Sequence, residues 1–282
     1  MADPSASSTP ASPLAGKRIV ITRAVAQSSE LFQKLSQRGA FPTSLALVSF
    51  SAPQDYAPLD AALRRWQEFD WVLFTSANAV QSVASRSAAL GLALDQVGTN
   101  PRIAAVGPAT KDEATRSILH VDHVAKTHLG IALAEELTPQ LRDKSVFLPR
   151  SDRANPDLPA ALKQLPAKVT EVVAYRTLPP SDVDRDFVTK VLGHESDAAI
   201  FFSPSAVHNL AGLLGKKALA ELQDKIAIAA VGPVTSSALR EYGVRQIVTA
   251  ADTTAPAVIE ALESHFAAMV AGQKRLAGAK HG

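Results

Sequence analysis

Much of the chain recurs within itself. A shift of 127 residues lays Arg23 on Arg150, Leu31 on Leu158, Leu35 on Leu162, Ala40 on Ala167 and Thr43 on Thr170. The same shift lays Pro53 on Pro180, Asp70 on Asp197, Phe74 on Phe201, Ser76 on Ser203 and Val80 on Val207. After a two-residue change of length, Ile103-Ala-Ala-Val-Gly-Pro108 recurs as Ile228-Ala-Ala-Val-Gly-Pro233, followed by Thr110 and Thr235. One matching hexapeptide would carry little weight. A register kept over about 90 residues reads as an internal duplication. A chain of 282 residues has room for the two similar lobes this implies.

Each copy alternates short apolar runs with amphipathic stretches. The first copy predicts strands at Arg18–Thr22, Pro42–Leu47, Trp71–Phe74, Ile103–Val106 and Val121–Val124. The second predicts Ser145–Leu148, Val169–Val173, Ala198–Phe202, Ile226–Val231 and Gln246–Val248, with helices between. Runs such as Ala198-Ala-Ile-Phe-Phe202 are apolar throughout, which calls for burial on both faces and hence a parallel sheet covered by helices. The expected fold class is α/β, with two flavodoxin-like, doubly wound lobes of strand order 2-1-3-4-5. Ten strands do not suit a closed barrel of eight.

Composition narrows the chemistry. The net charge is +2 from 29 basic and 27 acidic residues, so no strong field points to nucleic acid or a membrane surface. There is no cysteine, which excludes disulfides, a thiolate nucleophile, an iron–sulfur cluster and cysteine-ligated zinc. The longest apolar runs are strand-sized, well short of the roughly 18 residues of a membrane span. Residues 1–16, rich in Pro, Ser and Thr at the start, are expected to form a disordered tail without a secretory or transit signal. Residues 270–282 are expected to fray, and the expected location is cytoplasmic. No G-x-G-x-x-G, P-loop or G-x-S-x-G pattern occurs. His120, His123 and His128 straddle a predicted strand without a set of carboxylates, so they read as a solvated edge rather than a metal site. His208 reads as surface or packing.

Open α/β sheets bind ligands at the carboxyl ends of their strands. Those ends carry Thr22-Arg23, Thr75-Ser-Ala-Asn78, Gly107-Pro-Ala-Thr110 and Pro149-Arg-Ser-Asp152, then Ser203-Pro-Ser205, Gly232-Pro-Val-Thr235 and Ala250–Thr254. Each sets small or hydroxylated residues before a helix, whose first amides bind anionic oxygens. Any one of these loops is equally explained as a helix cap. Together, lining a cleft, they suit a ligand with several negative groups. Tyr175 stands where the other copy has Val48, so the repeated scaffold does not itself require a hydroxyl there. It reads either as an aromatic packed at a strand end or as a weak acid facing the cleft.

The set Arg18-Ile-Val-Ile-Thr-Arg23, Phe74-Thr-Ser-Ala-Asn78, Ile103–Thr110, Val173-Ala-Tyr-Arg-Thr177, Phe201-Phe-Ser-Pro-Ser205 and Ile228–Thr235 resembles the uroporphyrinogen-III synthase family, over roughly residues 17–266. The order and spacing of these segments carry the resemblance, since none is diagnostic alone. It implies interleaved lobes, 17–47 with 181–266 and 54–172, joined by a two-stranded hinge of 48–53 and 173–180. It implies conversion of hydroxymethylbilane, a linear tetrapyrrole with several carboxylates, into uroporphyrinogen III. Water is lost and ring D is inverted through a spiro intermediate, within tetrapyrrole (heme) biosynthesis. Such positioning chemistry needs neither metal nor cofactor. The resemblance gives Tyr175 as the residue assisting departure of the hydroxyl. It gives Ser76, Asn78, Gly107, Thr110, Ser203, Ser205, Gly232 and Thr235 as substrate-side loop residues. Arg23 and Arg150 pair either with substrate carboxylates or with a local acid, and the Ser-Asp-Arg-Ala-Asn-Pro that follows Arg150 departs from the Gly-rich loop of many members. The implied partners are the small-molecule substrate and a transient contact with hydroxymethylbilane synthase; nucleic acid and membrane are not expected, and the chain is expected to be a monomer. The alternative is a non-enzymatic bilobal sensor that binds a tetrapyrrole or another anion. A two-lobed glycosyltransferase would show a nucleotide-sugar site, which the sequence lacks.

Overall fold

The computed structural model describes residues 12–24, 28–94, 101–127, 129–180, 183–193, 195–252 and 254–278. The chain begins β1 (Arg18–Ile21), α1 (Ser29–Gln37), β2 (Phe41–Ser44), β3 (Ser49–Ser51), α2 (Ala57–Arg64), β4 (Trp71–Phe74), α3 (Ala77–Ala89) and β5 (Arg102–Ala105). It continues α4 (Pro108–Arg116), β6 (His123–Val124), α5 (Gly130–Leu141), β7 (Ser145–Ser151), α6 (Asp157–Lys163), β8 (Lys168–Leu178) and α7 (Arg185–Gly193). It ends β9 (Ala198–Phe201), α8 (Pro204–Leu214), α9 (Lys216–Glu221), β10 (Ala227–Ala230), α10 (Pro233–Glu241), β11 (Ile247–Thr249) and α11 (Ala255–Gly278). Contacts divide this chain into two units, one of residues up to Ser49 with those from Pro179 on, the other Phe50–Leu178.

The first unit is built on a five-stranded sheet of order β11-β10-β9-β1-β2, and every paired neighbour is parallel. Counted in chain order within the unit, this is 2-1-3-4-5. Both faces are covered, as its apolar strands demand. Val20, Ala199, Phe201 and Ile228 pack with Val188 and Val191 of α7, Val207 and Leu210 of α8 and Leu239 of α10. Ile19, Ile21, Ala198, Ile200 and Ala229 face the other way, onto Leu31 and Leu35 of α1 and Val258, Ile259 and Leu262 of α11. The alternation of Ile19, Val20 and Ile21 between two cores is the period of two of a strand buried on both faces.

The N-terminal tail is shorter than its composition suggests. Residues 1–11 lie outside the described residues, but Leu14, placed in the N-terminal tail by its Pro/Ser-rich surroundings, is fully buried in the core with Leu31, Leu35 and Leu262. Beside it, Ser12 Oγ donates to Glu263 of α11 at 3.1 Å. A tail composition says nothing of one leucine that finds an apolar slot. At the other end α11 runs on to Gly278.

The second unit has a six-stranded sheet of order β3-β8-β7-β4-β5-β6. Its five parallel members, β8-β7-β4-β5-β6, stand in the same spatial order as β2-β1-β9-β10-β11, and the 127-residue repeat lays β1 on β7 and β4 on β9. Val72, Phe74, Phe147 and Val172 pack against Leu59 and Leu63 of α2, Val80 and Val83 of α3 and Ala114 of α4. Trp71, Leu73, Val146 and Leu148 pack on the opposite face with Leu133 and Leu137 of α5 and Leu158 and Leu162 of α6. The edge strand β6 keeps only two of its four expected residues, whereas β8 runs to Leu178, five beyond its expected end at Val173.

The repeat is visible atom by atom at the strand starts. Asp70 Oδ2 accepts the Ser145 N–H at 2.9 Å while Oδ1 meets Lys144 Nζ at 3.1 Å. Asp197 Oδ2 accepts the Arg18 N–H at 2.8 Å while Oδ1 meets Lys17 Nζ at 3.6 Å. In each unit one carboxylate thus ties the first half of the chain to the second.

Candidate active site

In the second unit the site residues stand on strands that outrun their neighbours. The ladder between β4 and β7 ends at Val72 and Phe147, whereas β7 and β8 stay paired as far as Ser151 and Tyr175. This pairing contains an irregularity: Arg150 pairs with Val173 but Ser151 with Tyr175, so Ala174 is an extra residue. A bulge of this kind reverses which face the following side chains take. Val172, Ala174, Tyr175 and Thr177 are all buried, where strict alternation would have sent Tyr175 to the side opposite Val172. The bulge turns Tyr175 onto the face of α3, in one core with Val172, Ala79 and Val80.

There the Tyr175 hydroxyl meets the start of α3. Ser76 caps this helix, its Oγ accepting the Ala79 N–H at 3.1 Å, and lies 3.0 Å from Tyr175 Oη. Asn78 and Ser151 lie close enough to the same phenol to favour its ionised form. Phe50 of β3 sets its ring edge-on to Tyr175 at 5.6 Å between centroids. Tyr175 is 8% exposed, and burial pushes its hydroxyl above the ordinary tyrosine value of 10.0, against the opposite pull of Ser76, Asn78 and Ser151. The phenol is therefore protonated at neutral pH, poised to donate a hydrogen bond or a proton.

Arg150 takes a different direction. Its guanidinium is buried, Nη1 3.1 Å from Glu171 of β8 and Nη2 donating to the Asn155 carbonyl. This geometry favours pairing with a local acid, here a Glu on the neighbouring strand. Arg150 and Glu171 form part of a groove of about 580 Å³ beside α6, with Asp152, Pro156, Lys163 and Val173. Sequence reasoning did not connect Ser151, Asp152 and Thr177, which bond one another beside Tyr175. A signal was available, since Thr177 follows Tyr175 by two residues and shares its side of the strand.

The remaining loop of this unit holds Gly107 before Pro108 at the start of α4, with Thr110 buried in its first turn. Its counterpart in the first unit holds Gly232 before Pro233, with Thr235 buried likewise. The two glycines differ: Gly107 is extended at φ −178°, whereas Gly232 has φ +86°, a conformation that disfavours a side chain. Ser203 caps α8 as Ser76 caps α3, its Oγ accepting the Ala206 N–H at 3.3 Å, and Ser205 is partly exposed in the same turn. Thr22 is buried, donating to the Ile200 carbonyl at 2.8 Å. Arg23 is exposed, its guanidinium 4.6 Å from the centre of the Phe202 ring. Of the histidines, His123 bonds Glu136 at 2.9 Å and His208 bonds the Tyr242 hydroxyl at 3.0 Å, while His128 lies outside the described residues.

The structure thus brings Tyr175, Ser76 and Asn78 around one hydroxyl, and in each unit sets capped helix N-termini at the carboxyl ends of the strands. Comparison with known proteins agrees in fold and in family. A family model described as uroporphyrinogen-III synthase HemD matches residues 29–260. The uroporphyrinogen-III synthase of Synechococcus elongatus is 29% identical over 255 residues, 89% of this chain and 96% of that one. A variant of uroporphyrinogen III synthase from Thermus thermophilus superposes with a TM-score of 0.60, covering 90% of this chain and 99% of its own at 22% identity. The uroporphyrinogen-III synthetase of Helicobacter pylori gives 0.58, covering 88% and 99% at 20% identity. The structural likeness bears on the fold; the match from the first residue of α1 into α11 bears on descent. By that match the chain belongs to the uroporphyrinogen-III synthase family.

Proposed function

We propose that the chain closes hydroxymethylbilane to uroporphyrinogen III with inversion of ring D, as a cyclising lyase of tetrapyrrole biosynthesis. The family match over residues 29–260 carries this reading, and the buried, protonated Tyr175 phenol at the start of α3 supports it.

In the proposed reaction Tyr175 Oη gives its proton to the terminal hydroxyl as the C–O bond breaks. Water leaves, and the pyrrole nitrogen's electron pair yields an azafulvene. The substituted carbon of ring D attacks that carbon, forming the spiro intermediate. The bond from that ring D carbon to the ring C methylene breaks, the released methylene closes onto ring D's other α-carbon to invert the ring, and loss of that carbon's proton restores aromaticity and returns a proton to the phenolate. Without a protein the chain closes directly to isomer I, so conformation is what has to be imposed. Ser76 and Asn78 hold the phenol. Gly107 and Thr110, Gly232 and Thr235, Ser203, Ser205 and Arg23 are proposed to bind substrate carboxylates through helix-start amides, hydroxyls and one exposed cation. Arg150, committed to Glu171, holds its own loop instead.

The test is a coupled assay. Hydroxymethylbilane generated in place by its synthase is incubated with the protein, the products are oxidised, and the porphyrin isomers are separated by chromatography. Predominance of isomer III is expected. Isomer I alone, as in the protein-free control, overturns the reading and leaves at most a binding protein.

A further inference from the structure

Asp152 holds the Tyr175 segment at two backbone points, holds Ser151 beside it, and lies 3.9 Å from Arg176 Nε through its other oxygen. Its own N–H donates to the Tyr175 carbonyl at 3.2 Å. Its Oδ1 accepts the Thr177 N–H at 2.8 Å and the Ser151 hydroxyl at 3.1 Å. Ser151 Oγ lies 2.6 Å from Thr177 Oγ1 and accepts the Arg153 N–H at 3.2 Å. A serine hydroxyl has one proton. With that proton on Asp152, Thr177 must be the donor between the two hydroxyls, and the rotor of Ser151, which borders the Tyr175 phenol, is set. Thr177 is only 5% exposed, so its hydroxyl has little access to water as an alternative partner. The whole arrangement sits on the bulge that turns Tyr175 toward α3.

We propose that Asp152 is a positioning residue for Tyr175: it fixes the bulged backbone on either side of the phenol and, through Ser151 and Thr177, the hydroxyls beside it. This inference rests on the proposed role of Tyr175 as the proton donor. Asp152 itself touches no reacting atom in this scheme. Without its carboxylate the Ser151 proton and the Thr177 N–H both lose their acceptor, and the phenol no longer holds one place relative to the leaving hydroxyl. Misplacement of a donor lowers the rate of the bound complex more than it weakens binding.

The experiment compares Asp152→Ala, Asp152→Asn and Thr177→Val, each alone and combined with Tyr175→Phe, by rate of isomer III formation at varied hydroxymethylbilane. Asp152→Ala is expected to lower kcat about tenfold with KM nearly unchanged, and Thr177→Val less. Asp152→Asn, which keeps an acceptor oxygen, is expected to recover much of the loss. In the Tyr175→Phe background none of the three should cost anything further, because the group they position is gone. Equal losses in both backgrounds, or no loss in either, overturn the proposal. If Asp152→Ala does not fold, the same comparison with Thr177→Val and Asp152→Asn decides.

A second readout needs no substrate: the ultraviolet titration of Tyr175, taken as the phenol component missing from Tyr175→Phe. The charged groups acting on this phenol are Asp152 and Arg150. Neutralising Asp152 in Asp152→Asn removes the negative one, so the component should move to lower pH. A wild-type protein that makes only isomer I would sink the functional reading, whereas equal losses in the two Tyr175 backgrounds would sink the positioning role alone.

Discussion

The chemistry rests on one phenol. Tyr175→Phe keeps the ring against Phe50 and removes only the hydroxyl, so the fold should hold while kcat falls about 10²-fold, the low end for a general acid because the uncatalysed substrate also loses its hydroxyl. Isomer-resolved kinetics at saturating substrate check this, and an undiminished rate would remove Tyr175 from the mechanism. Burial raises this phenol above its ordinary value near 10. Its ionisation therefore leaves kcat unaffected up to about pH 10, and any loss it causes lies on the alkaline side of that value. For stability the sign is the same. A raised acid favours the folded state below the unfolded value, and that contribution is lost as pH rises through the folded one. A pH profile of kcat with a fall below pH 9 that disappears in Tyr175→Phe would contradict the assignment.

At the scale of single elements, the two Gly-Pro loops look identical in sequence yet differ in backbone. Gly232→Ala forces a side chain into φ +86°, at a cost of about 1–2 kcal/mol. Gly107→Ala carries no such strain, since φ −178° is open to any residue. Chemical denaturation of the two variants should separate them in that order, and equal midpoints would argue against the backbone account. In the second unit's core, Phe147 is fully buried, stacked on Phe69 at 5.1 Å and edge-on to Trp66 at 6.2 Å. Phe147→Ala should cost about 3–5 kcal/mol, partly as lost burial and partly as the cavity left behind.

For the molecule as a whole, the path of the chain dominates. The sheet of the first unit takes β1 and β2 from the first half and β9, β10 and β11 from the second; the sheet of the other unit takes β3, β4, β5 and β6 from the first half and β7 and β8 from the second. Fragments cut between α5 and β7 each lack part of both sheets, leaving unpaired strands and half-covered cores. Each fragment alone should fail to give cooperative unfolding, while the two expressed together should co-purify; a lone fragment that unfolds cooperatively would refute this. The aspartate ties across the halves add a pH dependence. The Ser145 N–H, and after it Lys144, holds the Asp70 carboxyl below the usual range. Its contribution is present above the unfolded value near 4 and is lost as pH falls through the folded one. Asp70→Asn should therefore lower the urea midpoint at pH 7 and differ less from wild type at pH 3.

By itself the sequence determined most of the α/β framework. Apolar runs such as Trp71–Phe74 and Ala198–Phe202 mark buried parallel strands, because a strand covered on both faces needs no polar alternation. The repeat spacing carried the helix-start loops at Ser76, Ser203, Gly107 and Gly232, since capping and tight turns select residue type locally. What is not local was invisible. The bulge opposite Arg150 depends on how β7 and β8 are registered, their paired residues 23 apart before it and 24 after, yet it decides which face Tyr175 takes. The network of Ser151, Asp152 and Thr177 exists only once that register is set, and Glu171 claims Arg150 from the adjacent strand for the same reason. Leu14 is held by α1 and α11, from opposite ends of the chain, though its neighbours in sequence read as tail. Periodicity and capping are properties of neighbouring residues along the chain; register, face and partner are properties of residues that only folding brings together.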